Sequence, residues 1–285
     1  MTPLNILSLQ SHVAYGHVGN SAAVFALQRL GAEVWPIHTV QFSNHTGYET
    51  SRGRAFDAAH VRDLTQGLGE RGALGRCDGV LSGYIGSAEI GDAILDAVAQ
   101  VKRANPKALY CCDPVIGDAG RGAFVSPGVA EFMRLRAVAA ADIVTPNHFE
   151  LEQIAGRSVR SLAEALAAIA ALRTRGPRIV LVTSLVTGET PADAIDMVAC
   201  DAGGRHRLRT PKLPVAAHGA GDLIAALFLA HCLRSGSAAE AISRAAASVF
   251  GILKRTADLG AHEMALIEAQ DELVTPSASF RAEPL

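Results

Sequence analysis

His218, Gly219, Ala220, Gly221 and Asp222 combine two glycines with an acid directly ahead of the apolar run from Leu223 to Ala230. A glycine-rich turn opening a helix leaves backbone N–H groups without intrahelical partners. The helix macrodipole adds about half a positive charge there, so phosphate oxygens are attracted. A carboxylate in the same turn would repel that anion unless it faces a second, proton-bearing reactant. Asp222 is therefore a candidate proton acceptor, and Gly219, Ala220 and Gly221 are candidate donors to developing negative charge. An ordinary N-cap would use the same residue types, so the motif must find partners elsewhere.

Partners are available. Asp113 precedes Pro114, Asp118 lies in the Gly-rich stretch 115–122, and Glu150 follows Asn147 at capping-box spacing. Several acids around one anion site need a countercharge. A hydrated magnesium ion bridging phosphates to a few carboxylates supplies it, with Asp113 and Glu150 as candidate ligands. The histidines His12, His17, His45 and His148 are read as structural rather than catalytic.

These residues need a scaffold. Residues 4–10, a helix capped by Asn20 or Ser21, and residues 33–40 make a strand–helix–strand unit, which builds parallel sheet. Further strands are expected at 77–82, 107–112, 142–145 and 178–183, and a hairpin near residues 195–210 turns at Ala202-Gly203-Gly204. Helices are expected over 57–70, from Ser87 to 104, from 127, from Asn147, and over 162–175, 222–234, 238–255 and 261–274. Segment 115–122 should continue neither strand nor helix, and the long polar loop 41–54 suits a binding segment. The expected fold is α/β, one domain over 1–285 with a mainly parallel central sheet and helices on both faces. Ligands in such sheets bind beyond the carboxyl ends of the strands.

Composition narrows the class. The 285 residues are 49% hydrophobic and 19% charged with net charge −2, without the dense basic stripe of a nucleic-acid binder. The longest apolar stretch, 223–233, contains His231 and is too short to cross a bilayer, and no signal peptide is recognisable. A soluble cytoplasmic protein is expected. The five cysteines, Cys77, Cys111, Cys112, Cys200 and Cys232, lie mostly in apolar segments and read as reduced core thiols.

The motifs Ser11-His12-Val13, Gly19-Asn20, residues 40–48 with Phe42-Ser43-Asn44-His45-Thr46-Gly47, Ser82-Gly83-Tyr84, Cys112-Asp113-Pro114-Val115, Thr145-Pro146-Asn147 with Glu150, and the GxGD turn together resemble the pyridoxal kinase family of the ribokinase-like superfamily. The loop 42–46 is the most specific of these. The resemblance implies transfer of the ATP γ-phosphate to the 5′-hydroxyl of pyridoxal, with magnesium and room for a monovalent cation, in a homodimer. It places Ser11, Thr46, Gly47 and Tyr84 on the vitamin. Asp113, Asp118, Thr145, Asn147, Glu150, Thr183, Ser184, Lys212 and Leu213 fall on the nucleotide side. One bacterial subgroup carries Lys where Thr183 stands, leaving Lys212 or Arg121 to supply that charge. A hydroxymethylpyrimidine or related small-alcohol kinase, and a non-catalytic vitamin B6 carrier, are the rival readings. Asp222 favours the pyridoxal type, since the pyrimidine kinases often carry Cys there.

Chemistry limits the acid. An ordinary Asp pKa of about 3.9 against about 15.7 for an alcohol makes full deprotonation before attack uphill by roughly 16 kcal/mol. Asp222 should orient the hydroxyl and take its proton late. Segment 118–122 is expected to close over the nucleotide and exclude water.

Overall fold

In β1 (Asn5–Val13), side chains alternate between the two faces of the sheet, so Leu7 and Leu9 join one apolar cluster and Ile6 the other. The same alternation sends Cys112 and Cys111 to opposite sides, and all five cysteines are free and buried. The computed structural model describes residues 3–215 and 217–285; Met1, Thr2 and Ala216 lie outside them.

β1 is followed by α1 (Asn20–Arg29), β2 (Glu33–Phe42), the short β3 (Gly53–Ala55), α2 (Ala58–Glu70), β4 (Gly79–Ser82), α3 (Ala88–Ala104) and β5 (Leu109–Cys112). Next come β6 (Gly117–Asp118), β7 (Gly122–Ala123), α4 (Pro127–Phe132), α5 (Val138–Ala140), β8 (Ile143–Val144), α6 (His148–Ala155), α7 (Leu162–Arg173) and β9 (Ile179–Leu185). The chain ends with β10 (Ala194–Asp201), β11 (Gly204–Pro211), α8 (Ala220–Ser235), α9 (Ala238–Leu259) and β12 (Glu283–Pro284). The main sheet runs β12-β11-β10-β9-β8-β5-β4-β1-β2-β3. Its centre, from β9 to β2, is parallel, and the expected hairpin β10–β11 extends it antiparallel. Helices α2, α3, α6 and α7 pack on one face and α1, α8 and α9 on the other. The chain moves outward from β1 to β2, then returns to place β4 on the other side of β1. That reversal opens a crevice at the carboxyl ends of the strands.

Four local expectations are corrected. β1 and β2 run past residues 10 and 40, because parallel pairing resumes at His12 and Gln41 after an irregularity and the Ser21 hydroxyl bonds the Val13 backbone. The residue capping α1 is Gly19, at φ 55°, rather than Asn20 or Ser21. Asn20 is unavailable because its amide is spent on the carbonyls of Ser8, Gln10 and Ile37, stitching β1 to β2. Segment 115–122 is not wholly irregular, since Gly117 pairs with Ala123 and Asp118 with Gly122 in a small hairpin. Finally, 261–274 is not a continuous helix: only Gln270–Leu273 forms a short 3-10 turn. The Thr256 hydroxyl of α9 holds the Ala265 N–H, which a continuous helix would commit to its own backbone, and Met264, Ala265 and Leu266 are buried in the irregular segment.

Candidate active site

The crevice holds a cavity of about 370 Å³ lined from six strand ends: Ser11 and Val13 of β1, Val40 and Phe42 of β2, Tyr84 after β4, Asp113 after β5, Thr145 after β8, and Thr183 and Ser184 of β9. His218, Gly219, Ala220, Gly221 and Asp222 close one side, His45 and Thr46 of the loop after β2 another, and Asp118, Arg121 and Phe124 of the β6–β7 hairpin a third. Residues scattered over more than 200 positions thus meet in one space.

Gly219 is the N-cap of α8, with φ 92°, and a Cβ there would lie 1.8 Å from the His17 carbonyl oxygen. Only glycine fits both that backbone region and that gap. The turn is thereby pressed against the loop after β1, and α8 starts with its free N–H groups at the cavity wall.

The acids are set by local structure. Asn147 caps α6 in a full capping box: its side chain accepts the Glu150 N–H at 2.9 Å, and Glu150 Oε2 accepts the Asn147 N–H at 2.9 Å. Glu150 Oε1 also accepts from Ile116 and Gly117 at 2.9 and 3.4 Å, and Asn147 donates to the Gly117 carbonyl at 2.8 Å. The helix cap and the base of the β6–β7 hairpin are therefore one unit. Asp113 is buried and accepts from the Thr145 hydroxyl at 2.9 Å through Oδ1.

Burial pushes the Asp113 carboxyl well above its ordinary range, and repulsion from Glu150 and Asp222 adds to it. Burial likewise raises Glu150 to about 7, against the pull of its three backbone donors, and Asp222 to about 6, against a backbone N–H bond at Gly19. Asp118 goes the other way: burial is the largest single influence and raises it, but the Arg121 side chain and backbone and the Gly120 N–H together outweigh it and hold the carboxyl below its ordinary value. The rings of His45 and His218 stack with centroids 3.9 Å apart. Burial first, then His218 and Arg121, holds His45 near 4; burial first, then Arg121, lowers His218, while Glu263 and Asp118 pull it the other way. The cavity therefore concentrates carboxylates that need a cation, opposite a helix N-terminus that needs an anion.

A second cavity of about 170 Å³ adjoins the first, sharing Thr183, Ser184, Ala220 and Gly221 with it. Its other walls are apolar, with Ile195, Met197, Leu213, Val215, Ile224 and Phe250 among them. Ser184, between the two, is the one non-glycine residue with positive φ, 50°, among the described residues. Such strain marks a position over-determined by its surroundings.

A family profile described as phosphomethylpyrimidine kinase matches residues 75–266. The pyridoxal kinase PdxY of Granulibacter bethesdensis is 56% identical over 284 residues, 98% of this chain and 99% of that protein. The pyridoxal kinase PdxY of Deinococcus radiodurans is 51% identical over 99% of this chain and 96% of its own length. The chain belongs to the pyridoxal kinase family. A solved pyridoxal kinase of Leishmania donovani, in complex with ADP and ginkgotoxin, superposes on this member with a TM-score of 0.91 at 32% identity over 99% of both chains. A Plasmodium falciparum structure with AMP-PNP and PL superposes with a TM-score of 0.88 at 25% identity over the whole of both.

Most of the residues expected from the sequence of this pyridoxal kinase relative line the first cavity: Ser11, Thr46, Tyr84, Asp113, Asp118, Thr145, Asn147, Glu150, Thr183, Ser184 and the turn 219–222. Three are placed differently. Gly47 is exposed beside the cavity, its N–H bonded to His45 Nδ1 at 3.0 Å. Lys212 is exposed and lines neither cavity, because its backbone is tied to the Asp193 carbonyl at 2.7 Å on the outer hairpin. Leu213 lines the second cavity rather than the first. Glu263 was not visible as a site residue. Its carboxylate accepts from the Tyr48 hydroxyl at 2.5 Å and from the His17 N–H at 3.3 Å, tying the loop after β2 to the loop before α1. No local motif signals a contact spanning 215 positions.

Proposed function

We propose that this chain is an ATP-dependent pyridoxal kinase that phosphorylates the 5′-hydroxyl of the vitamin to give pyridoxal 5′-phosphate. The observation that carries the reading is the composition of the one cavity. It has polar side chains and an aromatic for a substituted pyridine, buried carboxylates beside a helix N-terminus for a metal-bound polyphosphate, and Asp222 between the two. Ser11 and Thr46 are assigned to polar atoms of the ring, with Tyr84 packing against it. The turn 219–222 cradles the transferring phosphoryl group with its N–H groups, and Asp222 orients the hydroxyl and takes its proton as the bond to phosphorus forms.

Thr145, Asn147, Thr183 and Ser184 border the polyphosphate. The apolar second cavity, with Leu213 in its wall, suits the nucleotide base, since it joins the first through Ser184 and Gly221. Lys212 is not retained in this reading.

The carboxylates fit a magnesium ion. The second oxygen of Asp113 has no protein partner among the described residues, and burial, with repulsion between the acids added, raises both Asp113 and Glu150, a cost that a bound cation would offset. Magnesium commonly takes one or two carboxylates together with substrate phosphates rather than a full protein cage, in keeping with the absence of any cluster of three acid, His or Cys ligands among the described residues. Asp113 and Glu150 would hold the ion, Glu150 through water because its oxygens already accept three N–H bonds. The ion would neutralise phosphate charge; a monovalent cation is a further assay variable. No helix among the described residues is long and apolar enough to cross a membrane. A cytoplasmic homodimer is part of the proposal on the family resemblance, and the sedimentation coefficient tests it.

The test is ADP release, coupled to a reporter, with pyridoxal, pyridoxamine, pyridoxine and hydroxymethylpyrimidine, with and without magnesium. The reading expects magnesium-dependent turnover with pyridoxal. Faster turnover of hydroxymethylpyrimidine would reassign the substrate, and no ADP release with any vitamer would point to a carrier.

A further inference from the structure

Four carboxylates, Asp113, Asp118, Glu150 and Asp222, line the first cavity, and Arg121 is the one Lys or Arg side chain among its lining residues. A nucleoside triphosphate brings several negative charges into that space. Thr183 is uncharged and Lys212 lies outside, so the protein's cationic contribution falls to Arg121.

Its setting is suited to a group that changes partner. The Nε and one terminal nitrogen of Arg121 reach the same oxygen, Asp118 Oδ2, at 2.9 and 2.8 Å, while Asp118 Oδ1 is occupied by the backbone N–H groups of Gly120 and Arg121 at 3.0 and 2.8 Å. Both side chains are well exposed, 45% and 38%, and solvated pairs of this kind contribute little stability. A phosphate offers the guanidinium a doubly charged, bidentate acceptor instead. The guanidinium carbon sits 5.2 Å over the Phe124 ring, which also lines the cavity, so the side chain has a platform along which to slide. The base of the β6–β7 hairpin is fixed to Asn147 and Glu150, whereas its tip, residues 119–121, is tied mainly to Asp118. Arg121 lines the same cavity wall as His45, Thr46 and His218, which brings its charge within the space shared by both reactants.

Resting on the kinase reading above, we propose that Arg121 leaves its ion pair with Asp118 on nucleotide binding and takes up the γ-phosphoryl group during its transfer. Asp118 is then the resting acceptor that keeps the guanidinium in place while the site is open.

The experiment compares wild type with Arg121→Gln and Arg121→Lys. Calorimetry measures binding of ADP and of a non-hydrolysable ATP analogue, and the coupled assay measures kcat and both KM values. Arg121→Gln should weaken the ATP analogue about tenfold while leaving ADP within about twofold, as expected for a contact confined to the γ-phosphate. It should lower kcat by roughly 10²–10³ with the pyridoxal KM nearly unchanged, the scale of losing one charge-stabilising donor. Arg121→Lys should recover at least part of kcat, because the charge remains though the bidentate geometry does not. Equal weakening of both nucleotides would mean that Arg121 only shapes the hairpin and would overturn the proposal, as would a kcat within threefold of wild type. If wild type releases no ADP with any vitamer, the kinase reading fails on its own, while the discrimination between ATP analogue and ADP still decides whether Arg121 meets the third phosphate.

Discussion

Replacing Asp222 by Asn should slow phosphoryl transfer and, in the unliganded protein, raise stability. The two side chains have nearly the same shape, so the change removes a charge without opening a cavity. Burial lifts the Asp222 carboxyl from 3.8 to about 6, which leaves it about nine-tenths ionised at pH 7. Moving a proton to it from an alcohol of pKa about 15.7 is still uphill by roughly 13 kcal/mol, less than the 16 expected for an ordinary Asp, so late acceptance remains the only workable role. Loss of a positioned general base commonly costs 10²–10⁴ in rate, and kcat should fall by that amount with little change in pyridoxal KM. Stability moves oppositely. The folded pKa lies above the unfolded one, so the folded state holds the proton more tightly. The burial cost is absent below about pH 4, where both states are protonated, grows between about pH 4 and 6, and is fully present above. Two pKa units correspond to at most about 3 kcal/mol, and each kcal/mol is worth about 2–4 °C in a domain of this size. Thermal melting without ligands should show Asp222→Asn several degrees above wild type at pH 8, with a smaller gap at pH 5, alongside the coupled ADP assay. A variant with turnover within tenfold of wild type would refute the proton-acceptor role, and equal melting temperatures at pH 8 would refute the claim that the carboxylate is held at an energetic cost.

Gly219→Ala should abolish measurable turnover and lower the melting temperature, since the new Cβ meets the His17 carbonyl at 1.8 Å in a left-handed backbone region; activity within tenfold of wild type would show that the turn can relax. Tyr48→Phe, which breaks the bond to Glu263, should raise the pyridoxal KM about two- to tenfold with kcat nearly unchanged, because one hydrogen bond of about 0.5–1.5 kcal/mol holds that loop over the cavity. Steady-state kinetics at saturating ATP checks it. Asp113→Asn should raise the magnesium concentration for half-maximal rate at least tenfold, measured by titration at fixed ATP, and the unliganded variant should melt higher than wild type because a repelling buried charge is gone.

Elements whose signal is local were legible in the sequence. Asn147 and Glu150 sit at capping-box spacing and form that box, Ser87 caps α3, and the turn at Gly203 joins β10 to β11. The alternation of apolar residues and the spacing of helices foretold a parallel sheet, and the polar strand ends foretold where the crevice lies. The local reading failed where a distant partner claims the residue. Asn20 has the type of an N-cap but is drawn away by three carbonyls of β1 and β2, and 261–274 has helix-forming residues but loses the Ala265 N–H to the Thr256 hydroxyl of α9.

For the site, the sequence by itself determined which groups could do chemistry: the glycines and acid of 219–222, the acids at 113, 118 and 150, and the polar loop at 42–47. Only the tertiary structure decided which share a cavity and in what state of charge. Burial sets the Asp113, Glu150 and Asp222 carboxyls above their ordinary range. The same packing leaves Lys212 on the outer hairpin and brings Arg121 to the wall. A carboxylate or guanidinium carries its charge in any sequence, but desolvation and the distance to the next charge exist only once the chain is folded.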